Sequence, residues 1–486
     1  MQRQYVRASD AAIEALWRGG EGPAALLHAG RFHPRWARRS LLGRPVAWYR
    51  YSDGAGGGLD RPRGDGRAGS PGIDWPEVGG GRSAWEDLRA LLAATSGRGR
   101  WVGFFSYDLA YRLEPGKLGA RHRAAGGTAA GDWPLIELGY CPTMESHAPP
   151  VEAVDGAVEL APPPEPAIGT GALEGGAVRP AVDRPTHEAS IQRVIDYIAA
   201  GDVFQVNLAH PFIGSIRCDP RSLYQRLATI SPAWYGAYLE LGGGGGGMPE
   251  RALLSTSPEL FLEVRGRDVV TRPIKGTRPA GERRAEARRA LLESEKDAAE
   301  LHMIVDLLRN DLGRVCDYGS VRVLESRAIE THPTVHHGVS TVAGRLHESK
   351  DIVDLLRATL PGGSITGAPK VRAMQIIDAL EPWPRGPYCG AIGWITADAA
   401  CLNVAIRTMV LGRRHGGPHE GAAVGRGPVD DARGARYDVS FHVGGGVVAD
   451  SDPASEYDET LDKARAMLRA LGRDEASAPA PGVTRP

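Results

Sequence analysis

Short alternating runs of apolar and polar residues dominate this 486-residue chain, with fewer stretches of helical period between them. Alternation predicts strands at 46–49, 101–107, 203–209, 234–241, 260–264, 321–324, 339–342, 390–395, 402–411 and 440–448. A period near 3.6 predicts helices at 85–95, 187–200, about 282–309, 351–359, 369–380 and 454–471. In 187–200 the residues Ile191, Val194, Ile195 and Ile198 share one face, and Gly201-Asp202 stops the helix. Strands outnumber the helices between them, so this is no βαβ alternation. The pattern predicts an α+β fold with large, mostly antiparallel sheets.

Composition narrows the class. The length allows one large core or two to three domains. A net charge of −1 and pI of 6.9 give no electrostatic case for nucleic acid or an anionic membrane as partner. The start of the chain lacks an apolar leader and no eighteen-residue apolar run occurs, so a soluble, cytoplasmic protein is expected. Cysteines 141, 218, 316, 389 and 401 form no CxxC pair and read as reduced thiols. Glycine and proline crowd into 53–82, 142–185, 242–247 and 413–436, which read as loops or insertions. The expected organisation is an N-terminal region at 1–150, a linker or insertion at 151–185, a catalytic region at 186–472 and a disordered tail at 473–486.

The chemistry gathers around Pro273-Ile274-Lys275-Gly276-Thr277, after the strand-like run 260–264. A lysine facing a cleft loses pKa through desolvation until its free amine is a nucleophile or base. Two helical segments carry acids at i and i+3, Asp297 with Glu300 and Glu456 with Glu459, each pair on one helix face. Four such acids suit Mg²⁺; taken singly, each pair also reads as an N-terminal complement to its helix dipole. Glycine-rich turns at 361–370 and 442–447 offer backbone amides to an anion, and Arg407 offers a guanidinium to a carboxylate. Neither glycine run has nucleotide-binding spacing. A small carboxylate-bearing substrate is implied.

These residues resemble a known family. PIKGT (273–277), ELHMIVDLLRNDLGRV (300–315), TVHHGVST (334–341), PGGSITGAPKVRAM (361–374), IRT (406–408) and GGGVVADSDPASEYDET (444–460) resemble, in this order, the chorismate-utilising enzymes. The likeness spans roughly 192–471 and includes GDVFQVNLAHPF (201–212); it is fainter in the N-terminal third. It implies a sandwich of the antiparallel sheets with helices packed outside, as in anthranilate synthase component I. It also implies Mg²⁺ held by Glu300 and Glu459 directly and by Asp297 and Glu456 through water. By the same resemblance Thr277, Ser364, Tyr388, Arg407, Lys463 and the amides of Gly444 and Gly446 bind chorismate, and His337 lies beside its ring. Lys275 matches a nucleophile that adds at C2 as the 4-hydroxyl leaves, and Glu259 matches the acid that protonates that hydroxyl.

Lys275 decides between sister activities, because anthranilate synthases carry alanine in that slot and send the nucleophile to C2. The resemblance therefore points to the aminodeoxychorismate synthase component I branch, with ammonia from a separate class-I glutamine amidotransferase. The rivals are anthranilate or 2-amino-2-deoxyisochorismate synthesis, and an inactive chorismate-binding scaffold. Leu26-Leu27-His28-Ala29 and Ser231-Pro232-Ala233-Trp234-Tyr235 depart from the family's tryptophan-pocket motifs, and Gly338 and Ala280 replace an expected leucine and arginine.

Overall fold

The structure is a computed structural model that describes residues 10–18, 23–31, 33–60, 73–113, 118, 133–148, 174–175, 178–242, 249–280, 283–332, 335–414 and 435–473. Most of the expected linker at 151–185, the heart of each other glycine-rich run and the tail fall outside these residues.

Two antiparallel sheets, each of eleven strands among the described residues, make up the body of the molecule. The first sheet is centred on the long pair Gln205–Cys218 and Ala435–Val447, in register over thirteen residues. It continues through Thr408–Arg413, Arg251–Ser257 and Tyr235–Leu241 to Ala25–His28, Ser40–Gly43 and Met144–His147. The second sheet begins at the edge strand Ile274–Pro279. It then runs through Val335–Arg345, Asp268–Arg272, Leu260–Arg265, Ala399–Val404 and Ala391–Ile395 to Arg100–Phe105, Ile136–Cys141, Ala47–Ser52 and Gly56–Asp60. Both sheets thus mix strands from either side of residue 150.

The sheets face each other across an apolar layer. Ala237, Leu239 and Leu253 of the first pack with Val102, Phe104 and Ile392 of the second. Alternation produces this layer, since every second side chain of a strand points inward. Helices cover the outer faces. Pro220–Ile230 and Pro453–Ala470 bury Leu223, Leu227, Ala464 and Met467 against the first sheet. Ala84–Ala94 and Ile352–Thr359 bury Leu88, Leu91, Ile352 and Leu356 on the second. The α+β sandwich with outer helices is the fold expected.

Three local expectations are corrected. The single strand expected at 402–411 is two strands in different sheets, Ala399–Val404 and Thr408–Arg413, linked by residues 405–407. The helix expected at 282–309 is split into Arg284–Glu293 and Glu295–Gly313, because the Ser294 side chain caps the second by accepting from the Asp297 amide. Within the presumed loop 53–82, Gly56–Asp60 is a strand paired with Ala47–Ser52, so pairing overrides glycine's poor strand propensity.

Candidate active site

Two open strand edges define the site. Ile274–Pro279 pairs with Val335–Arg345 on one side only and so forms the edge of the second sheet. In the first sheet, Thr408–Arg413 pairs with Ala435–Val447 only as far as Phe441. Beyond it, residues 442–447 are paired with Gln205–Cys218 alone among the described residues. The two edges approach at Lys275 and Gly446. A Cβ built on Gly446 would sit 3.0 Å from Lys275 Nζ and 2.6 Å from Gln205 Nε2, so a larger residue here would have to displace both side-chain ends. Gly276, with φ of 75°, turns the lysine strand where a Cβ would strike Asp297 at 2.9 Å.

Lys275 keeps part of its surface open, while burial pulls its pKa below the usual lysine value; Glu300, Glu259 and Glu459 act in the opposite sense. Glu259 is buried, and its carboxyl is pushed up to about 7 by that burial. The Ser364 hydroxyl donates to Glu259 Oε1 at 2.6 Å, and both this bond and Lys275 pull the other way without prevailing. The site therefore holds an amine whose pKa is lowered near a carboxyl whose pKa is raised to about 7, shifts in the directions that nucleophilic attack with acid assistance needs.

The acids lie where the i, i+3 spacing predicted, on Glu295–Gly313 and Pro453–Ala470, and the two helices bring Glu300 toward Glu456. Burial raises both carboxyls, and neighbouring acids raise them further. In this conformation Asp297 pairs with Arg278 at 2.7 Å and Glu459 with Lys463 at 2.6 Å, while Ser451 donates to Glu456 at 2.6 Å. Among the described residues no three acids, histidines or cysteines converge as one metal-binding group. The donors themselves fit a hard divalent cation, being all oxygen and mutually repelling. Each of Asp297 and Glu459 gives one carboxylate oxygen to its cationic partner, Oδ2 to Arg278 and Oε1 to Lys463.

Lys463 also donates to the Gly444 carbonyl at 2.7 Å, clamping the glycine run to the acid helix. Tyr388 is buried and stacks on His442 at 5.2 Å. Thr277 Oγ1 and His337 Nδ1 are hydrogen-bonded at 2.9 Å across paired strands. Arg407 occupies the link between sheets with φ of 49°, and burial alone lowers its pKa, with no carboxylate among the causes. Gly338 abuts the lysine strand, since a Cβ there would lie 2.6 Å from the Lys275 carbonyl.

The structure adds residues that the sequence reading missed. Gln205 is fully buried beside Gly446, and neither of its amide atoms has a hydrogen-bond partner. Its only sequence signal was a polar residue opening an apolar strand. Arg385 is buried and bonds Glu381, Asn207 O and Ile365 O, with the Tyr107 ring 4.4 Å from its guanidinium. It ties the Ser364 loop to the strand of Gln205. Asp311 and Lys370 form a buried ion pair between helices Glu295–Gly313 and Lys370–Leu380. A hollow of about 430 Å³ beside Trp48 and Arg50 lies at the opposite edge of the second sheet and contains none of these groups.

Comparison with known proteins identifies the architecture. The chorismate binding enzyme family matches residues 76–469. Anthranilate synthase component 1 of Thermus thermophilus is 41% identical over 312 residues, covering 63% of this chain and 61% of the relative. Aminodeoxychorismate synthase component 1 of Klebsiella aerogenes is 41% identical over 302 residues, covering 61% and 60%. The chain thus spans about three-fifths of the length of these curated relatives. The crystal structure of anthranilate synthase component I from Streptococcus pneumoniae superposes with a TM-score of 0.65 over 96% of this chain and 100% of that one, at 24% identity. The chain belongs to the chorismate binding enzyme family.

Proposed function

We propose that this protein converts chorismate and ammonia to 4-amino-4-deoxychorismate. The carrying observation is the Lys275 amine, its pKa lowered, placed at the open edges beside Gly446 and near Glu259. In the proposed reaction the neutral amine adds to C2 of chorismate, both conjugated ring double bonds shift by one position, and the C4–O bond breaks. Glu259 supplies the proton with which that hydroxyl leaves as water. Ammonia then attacks C4, both double bonds return, the C2–N bond to Lys275 breaks, and the new C4 ammonium gives up a proton to the Glu259 carboxylate. Arg407 and the amides of Gly444 and Gly446 hold the substrate's carboxylates, with Ser364, Thr277, Tyr388 and Lys463 around them and His337 beside the ring. Gln205 offers its unpaired amide to the substrate or to the incoming nitrogen.

Mg²⁺ is proposed on Glu300 and Glu459, with Asp297 and Glu456 outside them, where it would neutralise a substrate carboxylate. Ammonia would come from a separate glutamine amidotransferase subunit.

The second reading is anthranilate synthesis, favoured by the equal identity of the relatives so named. Mass spectrometry of the product formed from chorismate, Mg²⁺ and ammonium at alkaline pH separates them. Aminodeoxychorismate supports the proposal; anthranilate overturns it. Absence of any turnover, with Mg²⁺-dependent chorismate binding retained, would point to the scaffold alternative.

Glu259 gives this reaction a pH signature. A carboxyl with a pKa of about 7 is protonated below that pH and loses its acid form above it. Rate per concentration of free ammonia should therefore fall as pH rises through about 7, and Glu259→Gln should abolish that limb. That substitution should also cost on the order of 10²–10⁴-fold in kcat. A wild-type profile with the same pH dependence as that of Glu259→Gln would remove Glu259 from the acid role.

A further inference from the structure

His332 and His337 are both buried, at 4% and 2% exposure, and the Nε2 atom of each lacks a hydrogen-bond partner. Their rings meet edge to face at 5.2 Å. Trp234 covers His332 at 4.7 Å, and His33, half-buried, covers Trp234 at 4.5 Å. A file of four aromatic rings thus runs from a partly exposed histidine to the one bonded to Thr277, two residues from Lys275. An orphaned buried nitrogen costs about 1–3 kcal/mol, and two on neighbouring rings leave room in the hydrogen-bonding account for a shared occupant.

The surroundings select that occupant. Burial, and then Arg31, Arg407 and Arg272, push His332 down to about 3. Burial, then Arg407 and the neighbouring His332 and His336, hold His337 well below its ordinary value against a backbone hydrogen bond at Gly276. Both rings are therefore neutral near physiological pH, each with one N–H donor and one lone pair. Glu330 is spent on Arg272, and Glu325 faces His33 rather than His332. A cation is repelled here, whereas a small neutral molecule that both donates and accepts is matched.

We propose that His332 and His337 form a binding site for unprotonated ammonia, reached from the side of His33 and Trp234, that delivers it to the substrate ring. The assignment rests on the amination proposed above and names where its nitrogen is held. Ammonium has no lone pair with which to attack carbon, so the guanidinium-lined site excludes the unreactive form. His332 is a positioning residue in this scheme. It holds the nucleophile and makes no bond to chorismate.

The test uses the full chain with saturating chorismate and Mg²⁺, titrated with ammonium chloride at alkaline pH. His332→Phe keeps the ring packing and removes both nitrogens. Its KM for ammonia should rise tenfold or more, with chorismate KM unchanged and kcat at saturating ammonia within twofold of wild type. His332→Gln, which restores a donor and an acceptor, should recover part of the affinity. An unchanged ammonia KM in His332→Phe overturns the site and leaves it to water or to packing. Should that variant not fold, wild type decides alone. Its KM expressed as free ammonia should stay constant as pH rises, and a KM constant in ammonium overturns the proposal. Absence of any aminated product from wild type would fell the amination reading itself and this site with it. Formation of anthranilate would fell only the C4 assignment and leave the ammonia site under test.

Discussion

Lys275→Ala should abolish formation of aminodeoxychorismate, by on the order of 10³-fold or more in kcat, while chorismate still binds. The amine beside Gly446 is the nucleophile of the proposed reaction, and neither of the side-chain nitrogens nearest to it can replace it. Gln205 has no basic nitrogen, and Lys463 is held by Glu459 and the Gly444 carbonyl. Lys275→Arg should fail equally, because a guanidinium keeps the positive charge and does not shed its proton. Product mass spectrometry together with equilibrium binding of chorismate checks both variants. Full C4 amination by Lys275→Ala would show that the lysine is not the nucleophile, while the fold and the acid helices would stand.

The second large effect is on stability. Arg385→Leu leaves Glu381 buried without its cation and breaks the bonds to Asn207 O and Ile365 O. Removing one partner of a buried pair costs about 3–5 kcal/mol, whereas removing both costs far less. Denaturant unfolding should show that loss for Arg385→Leu and a partial recovery in the double variant Glu381→Gln/Arg385→Leu. Recovery is partial because Glu381 also accepts from the Ala209 amide, and because the Ser364 loop loses its anchor in either case. An Arg385→Leu protein as stable as wild type would mean the pair is already solvated and contributes little.

How much of this was legible in the sequence varied with the range of the interactions. The helices that carry the acids at i, i+3 follow from local periodicity, although the first of them starts at Glu295 and not near 282. The lysine strand was recognisable because turn chemistry and an apolar run bracket it. The break at 405–407 was not legible: 402–411 reads as one continuous strand, and only the packing of two sheets decides that it changes sheet. The partners of Asp297 and Glu459 were hidden for different reasons. Lys463 lies four residues along the helix and could have been foreseen as an i, i+4 pair. Arg278 reaches Asp297 from a strand and could not. Gln205, Arg385 and His332 owe their interest to burial without a partner or to a web of distant partners, which no window of sequence contains.

The change of sheet at 405–407 has a mechanical consequence. From Val404 to Thr408 the chain takes four steps, at most about 14 Å of reach. Facing sheets lie about 10 Å apart, so little slack remains. The link is also pinned, with the Ala405 amide on Gly390 O at 2.9 Å and the Thr256 amide on Arg407 O at 3.1 Å. It acts as a short tether that keeps the two jaws of the cleft from gaping. In the proposed reaction chorismate would therefore slip in past side chains at the open strand edges, and Arg407, carried on the tether, would meet its carboxylate from a nearly fixed post.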